Sequence, residues 1–90
     1  MKTDPRRLEK VLKAMGNRRR IVILAHLKKA NTASVGGIAE AINISFKATS
    51  KHLGILYSAD IVEREQTSVT MNYSISESLS PAARSVLDLL

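Results

Sequence analysis

Two short stretches of helical periodicity are separated by only three residues, Asn43-Ile44-Ser45. That spacing constrains the chain more than any other feature. Ahead of it, Ser34 can cap a helix that runs to about Ile42, with Ile38, Ala41 and Ile42 facing inward. Behind it, Ser45 can cap a second helix that runs to about Ser58 or Ala59, with Thr49, Leu53 and Leu56 on one face. Asn43 tolerates the left-handed backbone of a tight turn, and Ile44 is expected to plug the core. Two short helices joined this closely form a helix-turn-helix unit, here at about 34–59. Phe46, Lys47, Ser50, Lys51 and Gly54 fall on the other side of the second helix. That leaves a polar, basic face turned away from the core.

The rest of the chain frames this unit. Thr3-Asp4-Pro5 starts a helix at about 4–15, because Asp caps and proline suits the first turn. Leu8, Val11, Leu12 and Met15 form its apolar stripe, and Gly16 is expected to end it in the left-handed conformation. Asn17 can cap a second helix through about Lys29. Its middle, IVILAHL, is apolar nearly all round and reads as a central buried helix. Ala30-Asn31-Thr32-Ala33 reads as a loop. Gly36 and Gly37 weaken the next helix by about 1 kcal/mol each, and close packing on a neighbouring helix is the plain explanation. Asp60 can serve as a left-handed helix stop. IVEREQ and VTMNYSI then read as two strands around a Thr67-Ser68 tip, a wing at about 61–75. Ser80-Pro81 opens a last helix at about 81–90, offering Ala83, Val86, Leu87 and Leu90 for packing. The expected fold is mainly α with a small β-hairpin, in the order α-α-α-α-β-β-α.

A chain of 90 residues makes one domain, which buries only about 60–65% of its unfolded surface. A partner subunit would widen that thin margin. Lys and Arg number 14 against 8 acids, a formal charge of +6. Ten of the basic residues lie in positions 2–29: Lys2, Arg6, Arg7, Lys10, Lys13, Arg18, Arg19, Arg20, Lys28 and Lys29. Clustered charge of this kind favours a polyanion. There is no cysteine, so disulfides and thiolate metal sites are excluded. No apolar run reaches the ~20 residues of a membrane span. The first residues are too charged for a secretory signal. A cytoplasmic protein is expected.

From Val11 to Ile75 the chain resembles the ArsR-type winged helix-turn-helix transcriptional regulators. The matching segments are LKAMGNRRRIVIL, SVGGIAEAINIS, KATSKHLGILYSADIV and MNYSI. The resemblance implies a homodimer, built from the first and last helices, that binds two half-sites of double-stranded DNA. Leu8, Val11, Leu12, Met15, Ala83, Val86, Leu87 and Leu90 are then the expected interface. The alternative is that both helices only cover their own core.

In such a fold the second helix of the unit enters the major groove. Lys47 and Lys51 can donate to guanine or hold phosphate, Ser50 can pair with several bases, and Phe46 can rest on a thymine methyl. Phe46 can equally pack on its own helix start. Ser34 and Ser45, at helix starts, are candidate phosphate contacts. Arg18, Arg19 and Arg20 crowd a first helical turn, where the dipole disfavours cations. A DNA phosphate would compensate, and Arg20 matches the family's recurrent arginine. His52 is either packed or phosphate-facing. In the wing, Arg64, Thr67 and Ser68 could reach DNA, although Glu63 and Glu65 weigh against it.

Metal sensing is not expected. Ser34 and Gly36 stand where some members carry Cys-x-Cys, and the last helix has no histidine and only Asp88. His26 and His52 lack suitably spaced carboxylates. No cofactor and no catalytic constellation is legible. The expected function is a sequence-specific regulator, a repressor by resemblance, with any effector a small molecule or a protein. The rival readings are a protein-interaction module and a nonspecific architectural nucleic-acid binder.

Overall fold

The computed structural model describes residues 3–90; Lys2, part of the basic cluster, lies outside them. Five helices and three strands follow in the order α1 (Pro5–Met15), α2 (Arg18–Ala30), β1 (Thr32–Ser34), α3 (Val35–Ile42), α4 (Phe46–Ser58), β2 (Val62–Thr67), β3 (Thr70–Ile75) and α5 (Pro81–Leu87). Every helix starts on a side-chain cap, from Asp4, Asn17, Ser34, Ser45 and Ser80 in turn. Each satisfies one of the backbone N–H groups that a helix start leaves without a partner.

The turns close by the chemistry of their residues. Asn43 adopts φ 58° and ends α3, and the Ile44 N–H returns to the Ala39 carbonyl at 3.2 Å. Asp60 adopts φ 59° and ends α4. The Asp60 and Ile61 N–H groups donate back to the carbonyls of Tyr57 and Leu56, both at 3.0 Å. This is the paired closure of a Schellman motif. Gly16 departs from expectation, because its φ is −80°. Its small size matters for a different reason: a Cβ there would come within 3.1 Å of the Leu12 carbonyl oxygen.

One core cluster joins all the helices and the sheet. Ile23, Leu24 and Leu27 of α2, Ile38 of α3, and Leu53 and Leu56 of α4 are almost wholly buried in it. Thr49 is buried among them, and its hydroxyl donates to the Ser45 carbonyl at 2.9 Å. That bond removes the cost of an unpaired buried oxygen. Helix α2 is central but one-sided: Val22 is 43% exposed and Ala25 is exposed, so IVILAHL is not surrounded. Helix α3 buries Val35, Ile38 and Ala39, with Ala41 outside. Gly36 meets nothing within 4 Å, and a Cβ on Gly37 would meet only the Ser34 hydroxyl. Close helix packing therefore does not explain this pair.

The sheet has one more strand than expected. Thr32–Ser34 forms β1, which pairs antiparallel with β3 to give the order β1-β3-β2. It covers an edge of β3 that a bare hairpin would leave open. The hairpin tip falls at Ser68-Val69, one residue later than expected, with Ser68 at φ 58°. The last helix ends at Leu87, earlier than expected. The Lys28 ammonium donates to the carbonyls of Leu87 at 2.9 Å and Leu90 at 3.4 Å, a cation at a helix C-terminus. Among the described residues, no helix is long and apolar enough to cross a membrane.

Candidate nucleic-acid interface

Helix α4 divides cleanly. Thr49, Leu53 and Leu56 are fully buried, while Phe46 (63% exposed), Lys47, Ser50, Lys51 and Gly54 face solvent. The basic face expected from the sequence is therefore an outer face. Phe46 does not pack away as a staple. Ser45 is exposed and already holds the Ala48 N–H at 3.1 Å, so its hydroxyl serves the helix start first. Ser34 does the same for α3, accepting from the Gly37 N–H at 3.0 Å, and is half-buried.

The start of α2 lies beside this face. A surface cleft is lined by the cap Asn17, by Arg18, Arg19 and Val22 of α2, by Ile42 at the end of α3, by Ile44 of the turn, and by His52 of α4. Arg18 and Arg19 are exposed, and the first turn of α2 holds no acid. Among the described residues the one ion pair is Lys13–Glu9, at 3.9 Å on the exposed side of α1. Arg18, Arg19, Lys47 and Lys51 thus carry four charges with no carboxylate partner among the described residues. Two of them oppose the dipole of α2.

Arg20 is unlike its neighbours. It is half-buried, and its guanidinium is spent on the carbonyls of Ala14 and Lys13 and on His52. His52 is half-buried too, and its imidazole is held below the ordinary value of 6.5 by partial burial, then by Arg20, Arg19 and Lys51.

The wing also differs from the reading of its sequence. The Arg64 guanidinium lies over the Tyr57 ring, 3.9 Å from its centroid. It is thus turned onto the end of α4. Glu63 is turned away from the tip, accepting from the Ser76 hydroxyl at 3.2 Å and the Glu77 N–H at 3.1 Å. Thr67 and Ser68 are exposed at the tip, beside Val69 at 94% exposure. Tyr57 was not among the residues expected at the site. Its place is readable, since it stands about three turns after Phe46 on the same side of α4.

The residues expected at a dimer face divide in the single chain. Val11, Met15, Ala83 and Leu87 are only 1–5% exposed and belong to the core of their own chain, where α1 and α5 pack together. Leu8 and Val86 are half-buried, while Leu12 (48%) and Leu90 (37%) remain exposed, with Leu89 at 83%. Among the described residues, no three His, Asp or Glu side chains gather as a metal site would require.

These features meet known proteins at several points. A profile of the bacterial regulatory proteins of the arsR family matches residues 17–64, from the cap of α2 into the wing. No curated protein matches the chain. Among solved structures, HlyU from Vibrio cholerae N16961 superposes with a TM-score of 0.83 at 30% identity, covering 99% of this chain and 92% of that one. The transcriptional regulator HlyU from Vibrio vulnificus CMCP6 gives 0.75 at 30% identity, over 89% and 79%. NolR from Sinorhizobium fredii gives 0.80 at 27% identity, over 99% and 91%. The profile covers more than half of the chain, and the likeness to HlyU runs through nearly all of it. The chain therefore belongs to the arsR family of bacterial regulatory proteins, as a winged helix-turn-helix transcriptional regulator that binds DNA and is not an enzyme.

Proposed function

We propose that this chain is a single-domain cytoplasmic repressor that acts as a homodimer and reads an operator of two half-sites without sensing a metal. The observation that carries the DNA contact is the outer face of α4, where Phe46, Lys47, Ser50 and Lys51 are exposed, while Arg18 and Arg19 share a cleft with His52 of the same helix. A helix about 10–12 Å across fits a major groove about 12 Å wide. Lys47, Ser50 and Lys51 then meet base edges, and Phe46 favours a thymine methyl or local shape. Arg18 and Arg19 hold phosphate, which relieves their repulsion from the α2 dipole. Ser34, Ser45 and His52 flank this contact as further phosphate donors, and Thr67 and Ser68 lie at the wing tip as weaker ones. Arg64 contributes by bracing the wing on Tyr57 rather than by reaching DNA.

The dimer reading now rests on Leu8, Leu12, Val86 and Leu90, with Leu89 beside them, and not on the four buried residues. Leucines left wet at a surface are the kind of area that a second subunit removes from water. Repression follows from occupancy: a dimer seated on an operator denies that DNA to polymerase. Ser34 and Gly36 offer no thiolate, and any effector is a small molecule or a protein. Selection of bound fragments from a random DNA pool tests the whole reading. A palindrome with half-sites about one helical turn apart is the expected product. Recovery of no shared sequence, with binding that only tracks salt, would instead make the chain a nonspecific nucleic-acid binder.

A further inference from the structure

Arg20 sits in a run with Arg18 and Arg19 but is bonded differently. Its Nε donates to the Ala14 carbonyl at 2.6 Å and its Nη2 to the Lys13 carbonyl at 3.3 Å, both in the last turn of α1. Its Nη1 lies 3.2 Å from Nδ1 of His52, on α4. Its own backbone N–H is held by Asn17 at the start of α2, at 3.2 Å. One guanidinium therefore joins three helices. A guanidinium can only donate, so Nδ1 must accept. The imidazole is then neutral, with its proton on Nε2.

We infer that Arg20 is a positioning residue and not a DNA ligand: it seats the recognition helix on α1 and α2 through neutral His52, and a proton added to His52 releases that seat. The consequence for DNA rests on the regulatory reading above, whereas the brace belongs to the free chain. The charges around the ring agree with this. Arg20 and Arg19 approach from α2 and Lys51 from α4, and all three disfavour a second positive charge on the ring. Arg18 lines the same cleft as His52, and Lys10 and Lys13 of α1 line the adjoining groove with Arg20 and Lys51. No carboxylate lines either concavity. A protonated His52 would therefore gain no counter-charge and would lose its only bond to Arg20.

The sign of the pH effect follows. The folded chain holds His52 below its ordinary 6.5. The stability from this contact is complete above that value and is lost as pH falls through the lower folded value.

The tautomer can be read directly by nitrogen NMR on histidine-labelled protein, with His52→Gln assigning the resonances against His26. Above neutrality His52 should show the Nε2–H form alone, with a midpoint below 6.5. In Arg20→Gln the two tautomers should mix and the midpoint should rise. An Nδ1–H ring, or a midpoint indifferent to Arg20→Gln, overturns the brace. If Arg20→Gln does not fold, His52→Gln carries the test. Its amide oxygen can still accept from Arg20 but cannot titrate, so it should fold and flatten the pH dependence of stability. Retention of the wild-type pH dependence would overturn the proposal.

On the selected operator, Arg20→Gln should bind roughly tenfold more weakly, the equivalent of one charged hydrogen bond. Its salt dependence should match wild type. A slope shallower by about 0.9 would make Arg20 a phosphate ligand and refute the assignment. Wild-type protein that binds no DNA would defeat the regulatory reading while leaving the NMR experiment to decide the brace.

Discussion

Helix α4 and the pair α1–α5 present the same problem in sequence and solve it in opposite ways. Each is amphipathic, and in each one face is a candidate for a partner molecule. On α4 that face is basic and polar, and it stays outside, with Phe46, Lys47, Ser50 and Lys51 exposed. On α1 and α5 it is apolar, and most of it turns into the chain's own core, where Val11, Met15, Ala83 and Leu87 are buried. Periodicity reveals which residues share a face. It does not reveal what that face meets. Unpaired lysines can only face water or an external anion, because burying them alone is too costly. Leucine and valine gain equally from a core or from a second subunit. Charged faces are therefore legible in a way that apolar ones are not.

Four substitutions can break or sharpen that contrast. Met15→Ala should remove about 2–5 kcal/mol of stability, the cost of a core cavity. Denaturation at several protein concentrations should give the same loss each time; a loss that grows on dilution would return Met15 to the interface. Leu12→Asp should leave the folded monomer within about 0.5–1 kcal/mol of wild type, because Leu12 is 48% exposed. Dimerisation should weaken at least tenfold by sedimentation, since a charge is then buried without a partner (about 1.4 kcal/mol or more). A variant still dimeric at wild-type concentrations would show that α1 is not the contact. Lys51→Ala should cost about 1–3 kcal/mol of operator affinity if it reads a base, with specificity relaxed at one position. An equal loss on all sequences, with a shallower salt slope, would reassign it to phosphate. Tyr57→Leu should have the smallest effect, about 0.5–1 kcal/mol from the lost contact with Arg64. If operator affinity instead rises, Arg64 was being held away from DNA.

Local chemistry explains which parts of the fold were readable. The cap of each helix and the left-handed stops at Asn43 and Asp60 depend on the residue and its immediate neighbours, and all stand where the sequence puts them. A stripe of α3 started at Ile38 takes in Ala41, which is exposed. Begun at Val35, the same spacing selects Val35, Ile38, Ala39 and Ile42, as observed. Strand β1 was not readable, because three residues carry no periodicity and Thr32–Ser34 is extended only through pairing with β3. The engagements of Arg20 and Arg64 were hidden for a related reason. Each depends on a partner brought close by tertiary structure: His52 for Arg20, Tyr57 for Arg64. In the sequence both arginines look like spare surface charge.

Ser34 ends β1 opposite Asn72 and also caps α3 through its hydroxyl. The central strand β3 is bonded on its other side to β2. The hairpin is therefore no loose antenna. The strand that leads from its tip is tied at Asn72 to the residue that caps the first helix of the helix-turn-helix, so wing and helix share one anchor in Ser34.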